Sequence, residues 1–122
     1  TSLARKFDAR WVKIQQLPKL VFDHNRMVED ALTLLRYKTS MQPIIFNFFD
    51  KKFTLPALQD LYEAIYQTPI DKRNFRKKIA SMQILDKLNI KDKTSSKRGA
   101  HYYAFNEKKY QQFIREGKRF SL

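Results

Sequence analysis

The sequence predicts a small α+β fold that is mainly helical, and three observations predict it. The chain has 122 residues and 43% hydrophobic content, which is enough for one modest core. Apolar residues recur at helical spacing in several segments between Asp23 and Gly117. After Met82 the period changes to two, and two alternating segments flank a polar loop. Helices therefore precede a hairpin, and a last helix follows it.

The chain is strongly basic, and its charge is uneven. It has 25 Lys and Arg against 12 Asp and Glu, a net charge of +13. Residues 71–122 hold 15 basic and 5 acidic side chains, a net charge of +10. Proteins that bind the ribosome or a membrane surface also have a net charge of this size. The concentration of positive charge around one short helix and one loop favours a defined binding face for a polyanion.

The absence of Cys excludes disulfides and thiolate metal sites and fits a reducing cytoplasm. No apolar run reaches membrane-spanning length, and the first ten residues lack the apolar core of a signal peptide. We therefore expect a cytoplasmic location and no membrane partner. The chain has no initiating Met, and we expect it to be a fragment of something longer.

The first helix is predicted to begin at Asp23, a residue suited to the N-cap, and to end near Tyr37–Ser40, ahead of Pro43. Its apolar stripe is expected to consist of Val28, Ala31, Leu32 and Leu35. Before it, Arg10–Gln15 alternates weakly, which fits either a short strand or a helix end.

The middle of the chain is predicted to contain a buried strand or extended segment, followed by a second helix. The strand is expected in the apolar run Ile44–Phe49. Thr54 is expected to cap the helix, with Pro56 in its first turn. The buried face is predicted to include Leu55, Leu58, Leu61, Tyr62 and Ile65. Pro69 disfavours helix at Thr68 and predicts a turn.

The stretch Asp71–Met82 predicts a third helix with two different faces. Phe75, Ile79 and Met82 fall on one side at i, i+4 and i+7, and Asp71 is expected to be the N-cap. The opposite side carries Arg73, Asn74 and Lys77, with Arg76 beside them. Arg and Lys pair with phosphate or guanine and Asn pairs with adenine, so this is interpreted as the recognition helix of a helix-turn-helix. The alternative is a solvated basic face.

The last third of the chain predicts a hairpin and a final helix. Strands are expected at Ile84–Lys91 and Ala100–Phe105, joined by a basic loop. Asn106 is expected to cap a helix that ends at Gly117. Its predicted inward residues are Tyr110, Phe113 and Ile114. A hairpin directly after a recognition helix is typical of a winged helix-turn-helix, although an ordinary solvated loop is the alternative.

This fold predicts a core and a DNA-binding surface. The core is expected to include Leu58, Tyr62, Ile65, Phe75, Ile79 and Leu85. Arg73, Asn74 and Lys77 are expected in the major groove, with Arg76 at the groove wall or a phosphate. Lys97 and Arg98 are expected on the backbone or in the minor groove, and Thr54 on a phosphate. The full predicted set is Thr54, Lys72, Arg73, Asn74, Arg76, Lys77, Lys97 and Arg98.

Several segments resemble the C-terminal DNA-binding domain of Nudix-related transcriptional regulators. These segments are Phe53-Thr54-Leu55, Leu58-Gln59, Tyr62-Glu63 and, most specifically, Asp71–Ile79 (DKRNFRKKI). Trp11, Leu17-Pro18 and Phe22-Asp23-His24 look like the end of the Nudix-fold domain that precedes it. The resemblance implies that residues 1–38 close a preceding domain or linker and that residues 39–122 form the winged helix-turn-helix. Gly99 stands where this family usually has Pro in the wing, which predicts a more flexible wing.

The resemblance also implies a function. It implies a bacterial, ligand-responsive repressor or activator that binds a pseudo-palindromic double-stranded DNA operator as a homodimer. The effector, an ADP-ribose-like nucleotide or a sugar such as arabinose, is implied at a sensor domain that these residues do not contain. No cofactor or metal is expected in this chain.

Two other functions remain as alternatives. Nudix hydrolysis needs a Gly-rich loop and clustered Glu residues for Mg²⁺, but the chain has two Gly, and Glu29, Glu63, Glu107 and Glu116 are scattered. We therefore expect no enzymatic activity, and a remnant of a Nudix hydrolase is the first alternative. A winged helix that binds RNA or protein is the second alternative, because the fold alone does not specify duplex DNA.

Overall fold

The computed structural model describes residues 5–94 and 97–122. Within them, α-helices are combined with a small three-stranded antiparallel sheet, which confirms the predicted α+β, mainly helical fold. The helices are α1 (His24–Met41), α2 (Leu55–Tyr66), α3 (Lys72–Met82) and α4 (Glu107–Arg115). The strands are β1 (Phe53–Thr54), β2 (Leu85–Asp92) and β3 (Ala100–Phe105), in the spatial order β1-β3-β2. Short 3-10 helices occupy Ile14–Gln16 and Pro43–Phe48.

The chain divides into two compact units, Thr1–Ala31 and Leu32–Leu122. In the first unit, the Asn25 side chain bridges the chain before α1: its Oδ1 accepts from Leu20 N at 2.7 Å, and its Nδ2 donates to Pro18 O at 3.0 Å. Trp11 is fully exposed there. The division between residues 31 and 32 lies inside α1, whereas the sequence predicted a domain boundary after residue 38. That boundary stays a prediction.

The core lies in the second unit, between the helices and one face of the sheet. Leu58, Tyr62, Ile65, Phe75 and Ile79 are all buried, which confirms five of the six predicted core residues. Leu85 is half-buried and packs against this core. Phe46 adds an aromatic stack, with its ring 4.8 Å from that of Phe105. Burial of each such side chain contributes about 1.5–3 kcal/mol.

The expectation for the apolar run in the middle of the chain was wrong. The run predicted as a buried strand or extended segment at Ile44–Phe49 forms a 3-10 helix at Pro43–Phe48, in which Ile45 and Phe46 are buried. A continuous apolar run does not distinguish a strand from a buried helical turn, and Pro43 at its start suits a helix because it fixes φ and has no N–H to satisfy.

The predicted apolar stripes of two helices are also narrower than expected. In α1, Val28, Leu32 and Leu35 are half-buried, but Ala31 is exposed. In α4, Phe113 is buried and Tyr110 is half-buried, but Ile114 is 42% exposed. Residue 114 follows the buried Phe113 by only one position, about 100° further round the helix, and this turns it toward solvent.

Three of the predicted caps are present, and the cap predicted at Asp23 stays a prediction. Thr54 Oγ1 accepts from Ala57 N at 3.2 Å, Asp71 Oδ1 from Asn74 N at 2.8 Å, and Asn106 Oδ1 from Lys109 N at 3.0 Å. At the end of α4, Gly117 N donates to Ile114 O and Lys118 N to Phe113 O. With Gly117 at φ +78°, these bonds form a Schellman motif, which confirms Gly117 as the predicted end of the helix. No helix in the described ranges is long and apolar enough to cross a membrane.

Two hydrogen bonds in opposite directions connect α1 to the end of α2. Arg36 Nε donates to Ile65 O at 2.8 Å, and the Tyr66 hydroxyl donates to Arg36 O at 3.0 Å. The guanidinium thus satisfies a carbonyl in the last turn of α2, where intrahelical donors run out. The pair fixes α1 against the helix that precedes the turn into α3.

Candidate nucleic-acid interface

Helix α3 has the two faces that its sequence predicts. Phe75, Ile79 and Met82 are 4%, 4% and 8% exposed and anchor the helix to the core. The Phe75 ring meets that of Tyr62 edge-on, with centroids 5.5 Å apart. The other side is open to solvent and carries the predicted residues Lys72, Arg73, Asn74, Arg76 and Lys77. The buried face therefore determines which side chains α3 presents.

The turn before α3 is held by two side chains of α2 that the sequence analysis did not single out as functional. Glu63 Oε1 accepts from Ile70 N at 3.0 Å, and Gln59 Nε2 donates to Ile70 O at 3.1 Å. Gln59 and Glu63 also bond each other at 3.2 Å. Both backbone groups of Ile70 are thereby satisfied immediately before the α3 cap. We refer to Gln59, Glu63 and Ile70 as the turn clamp.

The turn clamp has an electrostatic signature. Hydrogen bonds from Ile70 N–H and then from Gln59 hold the pKa of the Glu63 carboxyl below its ordinary value. A carboxyl whose folded-state pKa is lowered contributes stability above its unfolded pKa and loses it as the pH falls through the folded value. The spacing of Gln59 and Glu63 at i and i+4 places them on one face of α2, which was the available signal in the sequence.

The hairpin after α3 is a wing formed by β2, β3 and their connecting loop. Leu85 pairs with Phe105 and Lys87 with Tyr103, and a register irregularity lies between Lys87 and Lys91. At the start of the loop, Asp92 Oδ1 accepts from Thr94 N at 2.9 Å and from Thr94 Oγ1 at 2.6 Å. These bonds lower the pKa of the Asp92 carboxyl. Lys97 and Arg98 are exposed, and Ser95 and Ser96 lie outside the described residues.

Gly99 closes the wing at φ +73°, in the left-handed region that favours glycine. A Cβ there would lie 3.1 Å from Lys91 Cβ, 3.1 Å from Lys93 Cγ and 3.2 Å from Asp92 O. Glycine therefore allows the start of β3 to pack closely against the end of β2. The more flexible wing expected from Gly99 in place of Pro stays a prediction.

Thr54 lies at the start of α2 and is largely buried, at 8% exposed. Its hydroxyl oxygen accepts from Ala57 N, which leaves the hydroxyl proton to donate. Its register partner in the sheet is Tyr102 of β3. The base of the wing therefore lies beside the α2 N-terminus.

The exposed cations of this surface are not neutralised by the fold. Within residues 5–94 and 97–122, the ion pairs are Lys109–Asp86 at 2.7 Å and Lys118–Glu116 at 2.8 Å, and neither involves a predicted site residue. Lys72, Arg73, Arg76 and Lys77 are thus available to phosphates or guanine edges, and Asn74 to an adenine edge. No group of three or more Asp, Glu or His side chains suited to a metal ion occurs in the described part of the chain.

Comparison with known proteins gives a consistent result. A model of the NrtR DNA-binding winged helix domain matches residues 45–105. The ADPR responsive transcriptional repressor NtrR of Acinetobacter baylyi is 29% identical over 99 residues, which is 80% of this chain and 39% of that protein.

Two solved structures of Shewanella oneidensis NrtR are also similar. The one complexed with a 27mer DNA has a TM-score of 0.64 and 27% identity over 88% of this chain and 46% of that chain. The second has a TM-score of 0.61 and 26% identity over 88% of this chain and 45% of that chain. The chain thus spans less than half the length of these relatives.

Proposed function

This chain belongs to the family of NrtR DNA-binding winged helix domains, and from that premise we propose that it binds double-stranded DNA sequence-specifically. In this proposal it is the DNA-binding part of a bacterial, ligand-responsive transcriptional regulator. The similar Shewanella oneidensis protein is described in complex with a 27mer DNA, and the Acinetobacter baylyi relative as a repressor. Both descriptions support a repressor that acts on duplex DNA.

The observation that carries the proposal is the exposed face of α3. Its cations have no ion-pair partner among the described residues, and its opposite face is anchored by Phe75 and Ile79. In this proposal Arg73, Asn74 and Lys77 read base edges in the major groove, and Lys72 and Arg76 contact the groove wall or a phosphate. The wing residues Lys97 and Arg98 and the α2 start at Thr54 contact the backbone. Base contacts then specify the site, and phosphate contacts set the register.

Regulation is proposed to come from a part of the protein that these residues do not contain. The Acinetobacter baylyi relative is described as ADPR-responsive, which favours an ADP-ribose-like nucleotide over a sugar as the effector. We propose that this chain has no catalytic role, because the predicted site offers cations and an amide rather than clustered carboxylates. In this proposal the protein acts in the cytoplasm.

Affinity for duplex DNA and for structured RNA of equal length, measured at several salt concentrations, tests the proposal. Several phosphate contacts predict binding to duplex that weakens steeply as salt rises, with a log–log slope of about −0.9 for each contact. Equal affinity for structured RNA would favour the RNA-binding alternative. Absence of binding to both at low salt would reject both nucleic-acid functions.

A homodimer is proposed for the DNA-bound protein. One helix-turn-helix reads too few base pairs to be selective, and two half-sites about one helical turn apart supply the rest. Sedimentation of the protein with a duplex that carries two half-sites should show two copies per duplex. Saturation at one copy, with unchanged affinity for a single half-site, would contradict the dimer.

A further inference from the structure

The outer face of the sheet carries a basic cleft that is distinct from α3 and from the wing loop. Lys52 lies directly before β1, and its Nζ is 4.4 Å from the centre of the Tyr102 ring on β3. The cleft beside this pair has a volume of about 1030 Å³. Its lining residues are Phe48, Phe49, Asp50, Lys51, Lys52 and Tyr102.

The strand register determines where this pair lies. Phe53 pairs with Tyr103, and both pack in or against the core. Because successive side chains of a strand alternate between faces, Tyr102 points to the outer face. Its register partner is Thr54, the N-cap of α2. Tyr102 is also three residues after Gly99, about 10 Å along an extended strand. Along the sheet, Lys52 itself lies further from the wing loop than Thr54 does, but its ammonium reaches back over the Tyr102 ring, beside the α2 N-terminus.

The ammonium of Lys52 is positioned without being neutralised. Asp50 lines the same cleft, but neither Lys51 nor Lys52 forms an ion pair with it or with another carboxylate in the described residues. Contact with a ring face attracts a cation by about 0.5–1 kcal/mol at an exposed site and restricts a long side chain that is otherwise free. A cation that is already ordered loses less conformational entropy when it meets an anion.

We propose that Lys52, held by Tyr102, binds a phosphodiester of the same duplex that α3 reads, as a backbone contact beside the α2 N-terminus. This inference rests on the proposed function and adds a phosphate-binding element that the predicted site did not include. In it, the Tyr102 ring orients the ammonium, and the Tyr102 hydroxyl is a second donor to phosphate oxygens. The contact carries no sequence information, so it acts on any duplex.

The test measures affinity of the 122-residue chain for a random-sequence 30-base-pair duplex between about 50 and 200 mM salt, where one phosphate contact contributes a slope of about 0.9. Lys52→Ala should flatten the slope by that amount, so its disadvantage relative to the unmodified chain should shrink about 3.5-fold across the range. Lys108→Ala, which removes an exposed charge of the same sign on α4, is the matched control and should change the slope less.

Tyr102 variants test the positioning. Tyr102→Leu should weaken binding, and adding Lys52→Ala to it should weaken binding by less than Lys52→Ala does alone. Tyr102→Phe keeps the ring but loses the hydroxyl, so it should retain most of the salt slope and weaken binding slightly. If Tyr102→Leu fails to fold, Tyr102→Thr, which removes the ring but suits a strand, replaces it in the comparison with Lys52→Ala. Fully additive effects of the two substitutions would overturn the role of Tyr102.

The possible failures are distinguishable. If the unmodified chain binds duplex but Lys52→Ala has the same slope as Lys108→Ala, the cleft meets something other than this duplex, and the inference is overturned alone. If the unmodified chain does not bind duplex at low salt, the proposed function fails together with the inference.

Discussion

Helix α3 and the wing are both basic and exposed, but different forces hold them in place. Three buried side chains, Phe75, Ile79 and Met82, anchor α3, and the turn clamp satisfies the backbone before it. The wing is held mainly by strand pairing, by the Asp92–Thr94 bonds and by the close approach at Gly99. The wing's cations project from a loop that the core does not reach.

The difference matches the two tasks proposed for these regions. Readout of base edges needs side chains at fixed positions, because a bidentate contact is lost when its geometry shifts. A phosphate contact depends less on geometry, because charge acts over a longer range. Core anchoring therefore suits α3, and a paired but solvated hairpin suits the wing. Five substitutions test this comparison, beginning with the largest expected effect.

Phe75→Ala should remove the anchor of α3. Truncation of a buried aromatic costs about 3–5 kcal/mol of unfolding free energy. Denaturant melts followed by circular dichroism measure it, with Ile114→Ala, a partly exposed apolar residue on α4, as the control that should lose less. A loss below about 1 kcal/mol for Phe75→Ala would show that the buried face of α3 is assigned wrongly.

Gly99→Ala should destabilise the wing through both backbone strain and crowding. The left-handed conformation costs a residue with a Cβ about 1–2 kcal/mol, and the contacts near 3.1 Å add to it. Gly117→Ala is a matched control, since Gly117 has φ +78° but nothing within 4 Å of an added Cβ. Denaturant melts should show a larger loss of unfolding free energy for Gly99→Ala than for Gly117→Ala. Equal losses would mean that the close approach in the wing adds no cost of its own.

Arg73→Ala and Asn74→Ala should affect specificity rather than general affinity. Loss of a base contact costs about 1–3 kcal/mol on the operator and far less on random duplex. Competition binding with both DNAs measures the difference, and Arg119→Ala, at an exposed position after α4, controls for loss of one positive charge. If Arg73→Ala weakened both DNAs equally, Arg73 would contact phosphate, and α3 would dock differently.

Lys97→Ala should have the smallest effect. A wing phosphate contact predicts similar weakening on operator and random duplex and a salt slope that is flatter by about one unit. Binding isotherms at several salt concentrations measure both quantities. Loss on the operator alone would mean that the wing reads sequence, which would remove the proposed difference between the two regions.

Much of this arrangement was predictable because local chemistry determines it. Caps at Thr54, Asp71 and Asn106 depend on side-chain oxygens a few residues from the N–H groups they accept from, and the two faces of α3 follow from its period. The 3-10 helix at Pro43–Phe48 was missed because a continuous apolar run has no period.

The features that sequence reasoning missed depend on tertiary contacts. Pairing of β1 with β3 joins residues about 50 positions apart, and it alone brings Lys52 to Tyr102. The bonds of Gln59 and Glu63 to Ile70 require the turn to fold back onto α2. All predicted site residues except Thr54 are exposed, whereas the contacts of the whole set with DNA stay predictions.

The reciprocal bonds between Arg36 and the end of α2 have a mechanical consequence. One hydrogen bond alone would allow the two helices to rotate about it. Two bonds of opposite direction resist both rotation and sliding of the helices. A shift of α1 along its axis by one residue, about 1.5 Å, would stretch both bonds together. A torque on this part of α1 would therefore be transmitted to Ile65 and Tyr66, a few residues before the turn that orients α3. The two bonds at Arg36 therefore couple this part of α1 to the end of α2.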